Sequence, residues 1–274
     1  MTSNENNKHV NFIRRGAGPP VLLIHGMAAS LHDWDKLIPE LASNGYRAYA
    51  LDLLGHGESS KPRDKDQYRL ETLFDFLAEW IDSLELEMPP VLVGHSLGGY
   101  LSLAYAQRYP DKVQELVLID PLYSDAQLSP FIRLIHRRPA LGVKAWQAIP
   151  DWVIHTVTGW DTAITLLSTP ESRRQIVEDY KRAAPQILYI TQFIPDLTPI
   201  LPDINTPALI LWGEKDLTLK PASFPKLTEA LPNAKGRPIQ GSGHQPHIGK
   251  PAKVNQLVID FINRQAVDSH PASR

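Results

Sequence analysis

"PPVLVGHSLGGYLSLAYA", Pro89 to Ala106, decides the fold. A short apolar run enters through two prolines and stops at a serine boxed by glycines. After it, Leu97, Leu101, Ala104 and Tyr105 recur at helical spacing. A buried strand therefore runs into a very tight turn and then into a helix. Gly94-His95-Ser96-Leu97-Gly98 fits the pattern G-x-S-x-G. With glycine and serine each at about 7% of residues, the pattern arises by chance in roughly one chain in ten of this length. The strand-turn-helix setting is what sharpens it. A side chain two residues either side of the serine would collide in such a turn. The serine itself is forced into a strained backbone conformation that projects its hydroxyl off the end of the sheet. The helix beginning at Leu97 aims free N–H groups and a positive dipole end at the same spot.

Moving outward, the same strand grammar repeats. "PPVLLIHG" (Pro19 to Gly26), "YRAYALDLLGHG" (Tyr46 to Gly57), "VQELVLID" (Val113 to Asp120) and "TPALILWG" (Thr206 to Gly213) are apolar runs closed by glycine or aspartate. "AKGRPIQGSGH" (Ala234 to His244) holds a weaker one, and "HVNFIRR" a short one near the start. Between them lie helical stripes: Leu70, Leu73, Phe74, Leu77, Trp80, Ile81 and Leu84; Val254, Leu257, Val258, Phe261 and Ile262; and Leu31, Trp34, Ile38 and Leu41. Apolar strands alternating with amphipathic helices specify an α/β fold with a largely parallel sheet. The alternation breaks between Pro121 and about Asn205. There "LGVKAWQAI", "DWVIHTVTGW" and "ESRRQIVEDYKRAA" read as helices with no clear strand. The chain thus divides into a core of residues 1–120 and 206–274, and a helical cap or lid of residues 121–205. An insertion at the strand ends where ligands bind reads as a cover for the site. The first few residues and the tail "AVDSHPASR" are expected to be mobile.

Composition narrows the partners. The 274-residue chain carries a net charge of −2, and no basic run exceeds "HRR" at His136 to Arg138. Nucleic acid and anionic membrane surfaces are not expected partners. No apolar segment approaches membrane-spanning length, and the polar start "MTSNENNKHVNF" lacks the apolar core of a signal peptide. With no cysteine there is no disulfide framework, so the expected location is cytoplasmic. The oligomeric state, monomer or homodimer, is left open.

A serine hydroxyl needs a base to become a nucleophile, and the base needs an acid to hold it. "WGEKDLTLKP" places Asp216 just past one strand, and "GSGHQPH" places His244 just past the next. Both fall at strand C-termini, the edge where Ser96 sits, in the chain order Ser, Asp, His. Ser96, Asp216 and His244 are the candidate catalytic residues, with His244 exchanging the proton and Asp216 fixing its tautomer. The oxyanion of a tetrahedral intermediate would be met by the backbone N–H groups of Leu97 and Met27, the latter in "HGMAAS". His25, Gly26, His95 and Tyr123 are the candidate substrate contacts, although His25 also reads as bonding backbone in its loop, and His95 as packing beside the turn. Asp52 and His56 read as ties within a glycine-rich loop. Asp120, in "LIDPLYS", is an alternative position for the acid. His244 and His247 form H-x-x-H, but no third ligand accompanies them, so no metal is expected. Arg137 or Arg138 is available to meet an acidic substrate. Trp146, Trp152, Trp160, Tyr180 and Tyr189 are expected mostly in the core of the cap.

His25-Gly26, "DLLGHGESSKP" (Asp52 to Pro62), "GHSLGG", "WGEKD" and "GSGH" together resemble the α/β-hydrolase superfamily. The resemblance covers about Pro19 to Asp120 and Thr206 to Ile262. It implies a central, mostly parallel sheet flanked by helices, with a cap after the sixth strand. It departs in a short N-terminal strand pair and in Gly249, where relatives often carry glutamate. A serine nucleophile excludes the family's haloalkane dehalogenases and epoxide hydrolases, which need a carboxylate. It permits acyl chemistry. The expected activity is hydrolysis of a small-molecule carboxylic ester with a small to medium, mainly apolar acyl group, without a cofactor. Carbon–carbon hydrolases of the same fold are the alternative, but those usually have a glycine-rich oxyanion loop and a tryptophan after the catalytic histidine, where this chain has "HGMAAS" and Gln245. A receptor with the same triad and negligible turnover, and a lyase or acyltransferase, are further alternatives.

Overall fold

In a computed structural model, the described residues are 8–128, 133, 138–146, 150, 152, 153 and 170–269. Seven strands form one sheet: β1 (Phe12–Gly16), β2 (Pro20–Ile24), β3 (Arg47–Leu51), β4 (Val91–His95), β5 (Glu115–Ile119), β6 (Ala208–Gly213) and β7 (Ala234–Ile239). Their order is β1-β3-β2-β4-β5-β6-β7. Only β1 runs antiparallel, against β3, with Phe12 opposite Leu51. β2 lies between β3 and β4, parallel to both. The chain thus moves from β2 to one side and returns to the other, so β2 and β4 flank a topological switch point. Ligand crevices form at such a point, at the C-terminal ends of the strands.

The central strands read as unbroken apolar runs because both faces of the sheet are covered. Every residue of β2, β4 and β5 is buried. Alternate side chains feed two cores. Leu22, Ile24, Leu92 and Leu118 pack with α2 (Leu70–Ser83) and α3 (Leu97–Arg108). Val21, Leu23, Val93 and Ile119 pack on the other face with Trp34 and with Val254 and Val258. β7 is an edge strand, half exposed, with Pro238 where no ladder partner is needed.

The stripe Leu31, Trp34, Ile38, Leu41 is not one helix. It splits into a 3₁₀ turn, Leu31–Trp34, and α1 (Ile38–Ser43), although all four side chains are buried as the pattern requires. Pro39 explains the break: it has no N–H to donate and disfavours helix before it, so it suits the first turn of a new helix.

Between β5 and β6 the described residues include α4 (Pro139–Trp146), α5 (Pro170–Arg182) and 3₁₀ segments at Pro185–Gln192 and Thr198–Asp203. This insert follows the fifth strand here. That is the sixth by the family's count, because the N-terminal pair is represented by β1 alone. Trp146 stacks on Tyr180 with ring centroids 3.8 Å apart. Trp146, Ile187, Ile190 and Leu197 share an apolar cluster with Leu53, Leu54 and Tyr100 of the core, so these described parts of the insert pack on it. The Ala184 N–H donates to Gly55 O, tying the two together. Trp152 is exposed. Trp160, His136, Arg137 and most of "DWVIHTVTGW" lie outside the described residues. After β6 come α6 (Ser223–Ala230), α7 (Pro246–Gly249) and α8 (Pro251–Ser269). The helix therefore continues through Ala266–Ser269, where the sequence reads as a mobile tail. No helix among the described residues is long and apolar enough to cross a membrane.

Candidate active site

Ser96 caps the N-terminus of α3 at φ 51° and ψ −110°. Its backbone is fixed on both sides: its N–H donates to Ile119 O, and its own carbonyl accepts from Tyr100 and Leu122. The glycines two residues either side answer a steric demand. A Cβ on Gly94 would sit 2.6 Å from Ser102 Oγ, and one on Gly98 would drive into the Ile24 and His25 carbonyls. These close approaches let β4 turn into α3 within one residue.

His244 follows β7, and Asp216 follows β6. Ser96 Oγ lies 3.0 Å from His244 Nε2, and His244 Nδ1 lies 2.8 Å from Asp216 Oδ2. Asp216 is buried. Its other oxygen, Oδ1, accepts the N–H groups of Thr218 at 2.7 Å and Leu219 at 2.9 Å. The carboxylate thus requires a proton on Nδ1, which leaves the Nε2 lone pair for the serine hydroxyl. The three predicted residues are brought together in the predicted order.

Asp120 is near but differently employed. It has a left-handed backbone, φ 41°, and its Oδ1 accepts the Gly213 N–H at 2.9 Å. Asp120, Asp216 and His244 each place a polar atom within 4.8 Å of the others. His244 Nδ1 donates to Asp216, and Asp120 ties the end of β5 to the end of β6.

The two predicted oxyanion donors flank the serine. Leu97 is the first residue of α3, so its N–H has no intrahelical acceptor. Met27 follows Gly26, where a Cβ would lie 3.2 Å from Ser96 Cβ. Ala28, at φ 61°, turns the chain away.

The other candidate contacts are engaged as follows. His25 is fully buried, with Nδ1 donating to Gly26 O at 2.6 Å and Nε2 accepting the Leu53 N–H at 3.0 Å. It holds the loop and has no ring nitrogen left for a substrate. His95 is buried, and its Nε2 donates to the His244 carbonyl at 2.8 Å. Burial, followed by the neighbouring His247 and His244 rings, holds its pKa well below the ordinary value. Tyr123 donates its hydroxyl to Ser223 O at 3.1 Å. Gly26 lies against Ser96, and a Cβ on it would come 3.2 Å from Ser96 Cβ.

Asp52 and His56 tie the loops as expected. Asp52 accepts from the Leu31 and Glu58 N–H groups and from Asn11 Nδ2. Burial works to raise its pKa, but His25 and these hydrogen bonds outweigh it and leave it lowered. His56 is pushed down to about 3, chiefly by burial, and its Nδ1 bonds to Leu54 O. The sequence reading missed Asp33, which with His247 stands behind His95. His247, which the H-x-x-H spacing pairs with His244, has its ring centroid 4.5 Å from that of His95.

Residues 19–142 match the family model described as the alpha/beta hydrolase fold. An esterase from Thermogutta terrifontis superposes with a TM-score of 0.82 at 26% identity, over 96% of each chain. Among curated proteins, "Lipase 1" of Psychrobacter immobilis is 29% identical, over 85% of this chain and 73% of its own. "Bifunctional epoxide hydrolase 2" of Sus scrofa is 26% identical, over 94% of this chain and 54% of its own. The chain spans about half the length of that relative. The fold is the α/β-hydrolase fold.

Proposed function

Starting from a chain that is an α/β-hydrolase by fold, we propose that it is a serine hydrolase of carboxylic esters. Ser96 attacks the ester carbonyl while His244 takes its proton. The developing oxyanion is met by the N–H groups of Leu97 and Met27. His244 then returns the proton to the leaving alcohol, and an acyl group remains on Ser96. Water, activated by the same histidine, releases the acid. Asp216 keeps the histidine in the working tautomer and offsets the positive charge it acquires. The insert between β5 and β6 acts as a cap and favours apolar acyl groups of small to medium size. No cofactor enters these steps, and the expected location is the cytoplasm.

The observation that carries this reading is the continuous hydrogen-bonded path from Ser96 Oγ through His244 to Asp216. The identity of the nucleophile separates the chain from the chemistry named for its epoxide-hydrolase relatives. A serine that opened an epoxide would be left as an ether, which water cannot cleave under these conditions. A carboxylate would be left as an ester, which it can. The test is hydrolysis of p-nitrophenyl esters from acetate to palmitate, with Ser96→Ala alongside. Turnover that peaks at one chain length and disappears in the variant is the expected result. Absence of turnover across the series, from folded protein, would refute the ester reading.

A further inference from the structure

Three buried groups behind the triad take no part in these steps. Asp33 comes from the 3₁₀ turn after β2, His95 ends β4, and His247 lies in α7. Asp33 Oδ2 lies 3.8 Å from His95 Nδ1 and 3.6 Å from His247 Nε2. The three side chains are no more than 4% exposed, and each offers one atom within 4.8 Å of the others. Among the described residues these three atoms have no hydrogen-bond partner.

The tautomers make this arrangement demanding. His95 Nε2 can only donate to the His244 carbonyl, so Nδ1 of the neutral ring carries a lone pair. That lone pair faces a carboxylate oxygen in a buried pocket. A buried acceptor opposite a buried acceptor costs free energy unless a proton or a metal ion lies between them. A proton on His247 would answer Asp33 but leave His95 Nδ1 unmet. A cation at the point of convergence answers all three.

We propose that Asp33, His95 and His247 form a binding site for one divalent transition-metal ion of the zinc type. Two imidazole nitrogens and one carboxylate oxygen suit zinc and its neighbours over magnesium or calcium, which take oxygen ligands. At metal–ligand distances near 2.0–2.1 Å, the ligand atoms of a tetrahedral ion stand about 3.3 Å apart. From 3.6 and 3.8 Å, the two separations from Asp33 would close by about 0.3 and 0.5 Å to reach that, and the two imidazole nitrogens start within 4.8 Å of each other. Trp34 stacks on His247 at 4.9 Å and 29°, fixing the ring and supplying an apolar shell. The fourth position falls to water. An ion here would polarise His95, strengthening its bond to the His244 carbonyl. It would steady the loop that carries His244 without touching the substrate.

The test uses the full chain without a histidine tag, stripped by chelator and dialysed against zinc, with metal measured by elemental analysis. One ion per chain is expected. Cobalt loaded in its place should give the intense visible bands of a tetrahedral site. Asp33→Asn and His247→Gln should each weaken uptake at least tenfold, whereas His244→Gln should retain it. Retention by His244→Gln separates this site from an H-x-x-H pair, because the backbone carbonyl that anchors His95 remains. Loss of binding in His244→Gln, or binding unaffected by His247→Gln, would overturn the proposal. So would failure of the folded wild-type chain to take up stoichiometric zinc or to show the cobalt bands, a result that needs no variant to fold.

Discussion

Asp216→Asn should disable the site while leaving the fold intact, and the structure says why. Asp216 Oδ1 is held by two backbone N–H donors, from Thr218 and Leu219. Only an oxygen can occupy that position. An amide nitrogen there would oppose both donors and forfeit two hydrogen bonds, at about 2 kcal/mol or more. The asparagine therefore puts its oxygen toward the turn and its NH₂ toward His244 Nδ1, which lies 2.8 Å from Oδ2 in the wild type. The imidazole must then accept at Nδ1 and carry its proton on Nε2, facing Ser96 with a donor where an acceptor is required. A preference of about 2 kcal/mol leaves roughly one molecule in thirty with the working tautomer. Losing the negative charge that offsets the imidazolium supplies the rest. The total should approach the roughly 10⁴-fold loss typical of a triad whose aspartate becomes asparagine, about 5.5 kcal/mol. The assay is kcat/KM on the best p-nitrophenyl ester, with imidazole ¹⁵N shifts to read the tautomer. A loss below about a hundredfold would refute the tautomer argument. It would indicate that Asp120, within 4.8 Å of His244 and Asp216 atoms, supplies the acid, and Asp120→Asn in the same background would then remove the residue.

Gly98→Ala forces a methyl into the Ile24 carbonyl; it should destabilise by about 2–4 kcal/mol in urea unfolding, and a change below 0.5 kcal/mol would contradict the packing account. Ser96→Gly removes a non-glycine side chain from φ 51°; relief of strain, less the entropy glycine adds to the unfolded chain, should raise stability by about 1 kcal/mol while abolishing activity. Glu115, on β5, is buried with Oε2 unpartnered among the described residues, and burial raises its pKa from 4.5 to about 8. The folded state therefore holds a proton that the unfolded state releases, so this group's contribution to stability is greatest below 4.5, falls as pH rises, and levels off above about 8. Glu115→Gln should flatten that slope, worth about 2–3 kcal/mol by neutral pH; an unchanged pH profile of unfolding would sink the assignment.

The parts of this molecule legible in sequence are those decided locally. Every residue of β2, β4 and β5 is buried, so each strand announces itself as an apolar run. The stripe from Leu70 to Ile81 needs only helical spacing. The turn at Ser96 is written in two glycines because the collision they avoid involves neighbouring segments. Asp216 and His244 are found because each follows a strand directly. What was not legible depends on convergence. Asp33, His95 and His247 are separated by 62 and 152 positions in the chain, and nothing about their spacing says that three elements bring them together. His25 and Tyr123 lie in the right loops, but whether a polar side chain faces the crevice or its own backbone is fixed by tertiary contacts. The break before Pro39 required weighing one residue against a four-residue stripe. The insert offers apolar segments whose partners are on the core, so their order in sequence does not reveal how they pack.

The most direct test of the central claim is to trap the acyl group. The chain would be mixed with a slowly deacylating p-nitrophenyl ester, quenched in acid and examined by intact and peptide mass spectrometry. The account predicts one acyl group per chain, located on Ser96 and formed in step with a stoichiometric burst of p-nitrophenol. Turnover with no adduct, an adduct on another residue, or undiminished hydrolysis by Ser96→Ala would contradict it.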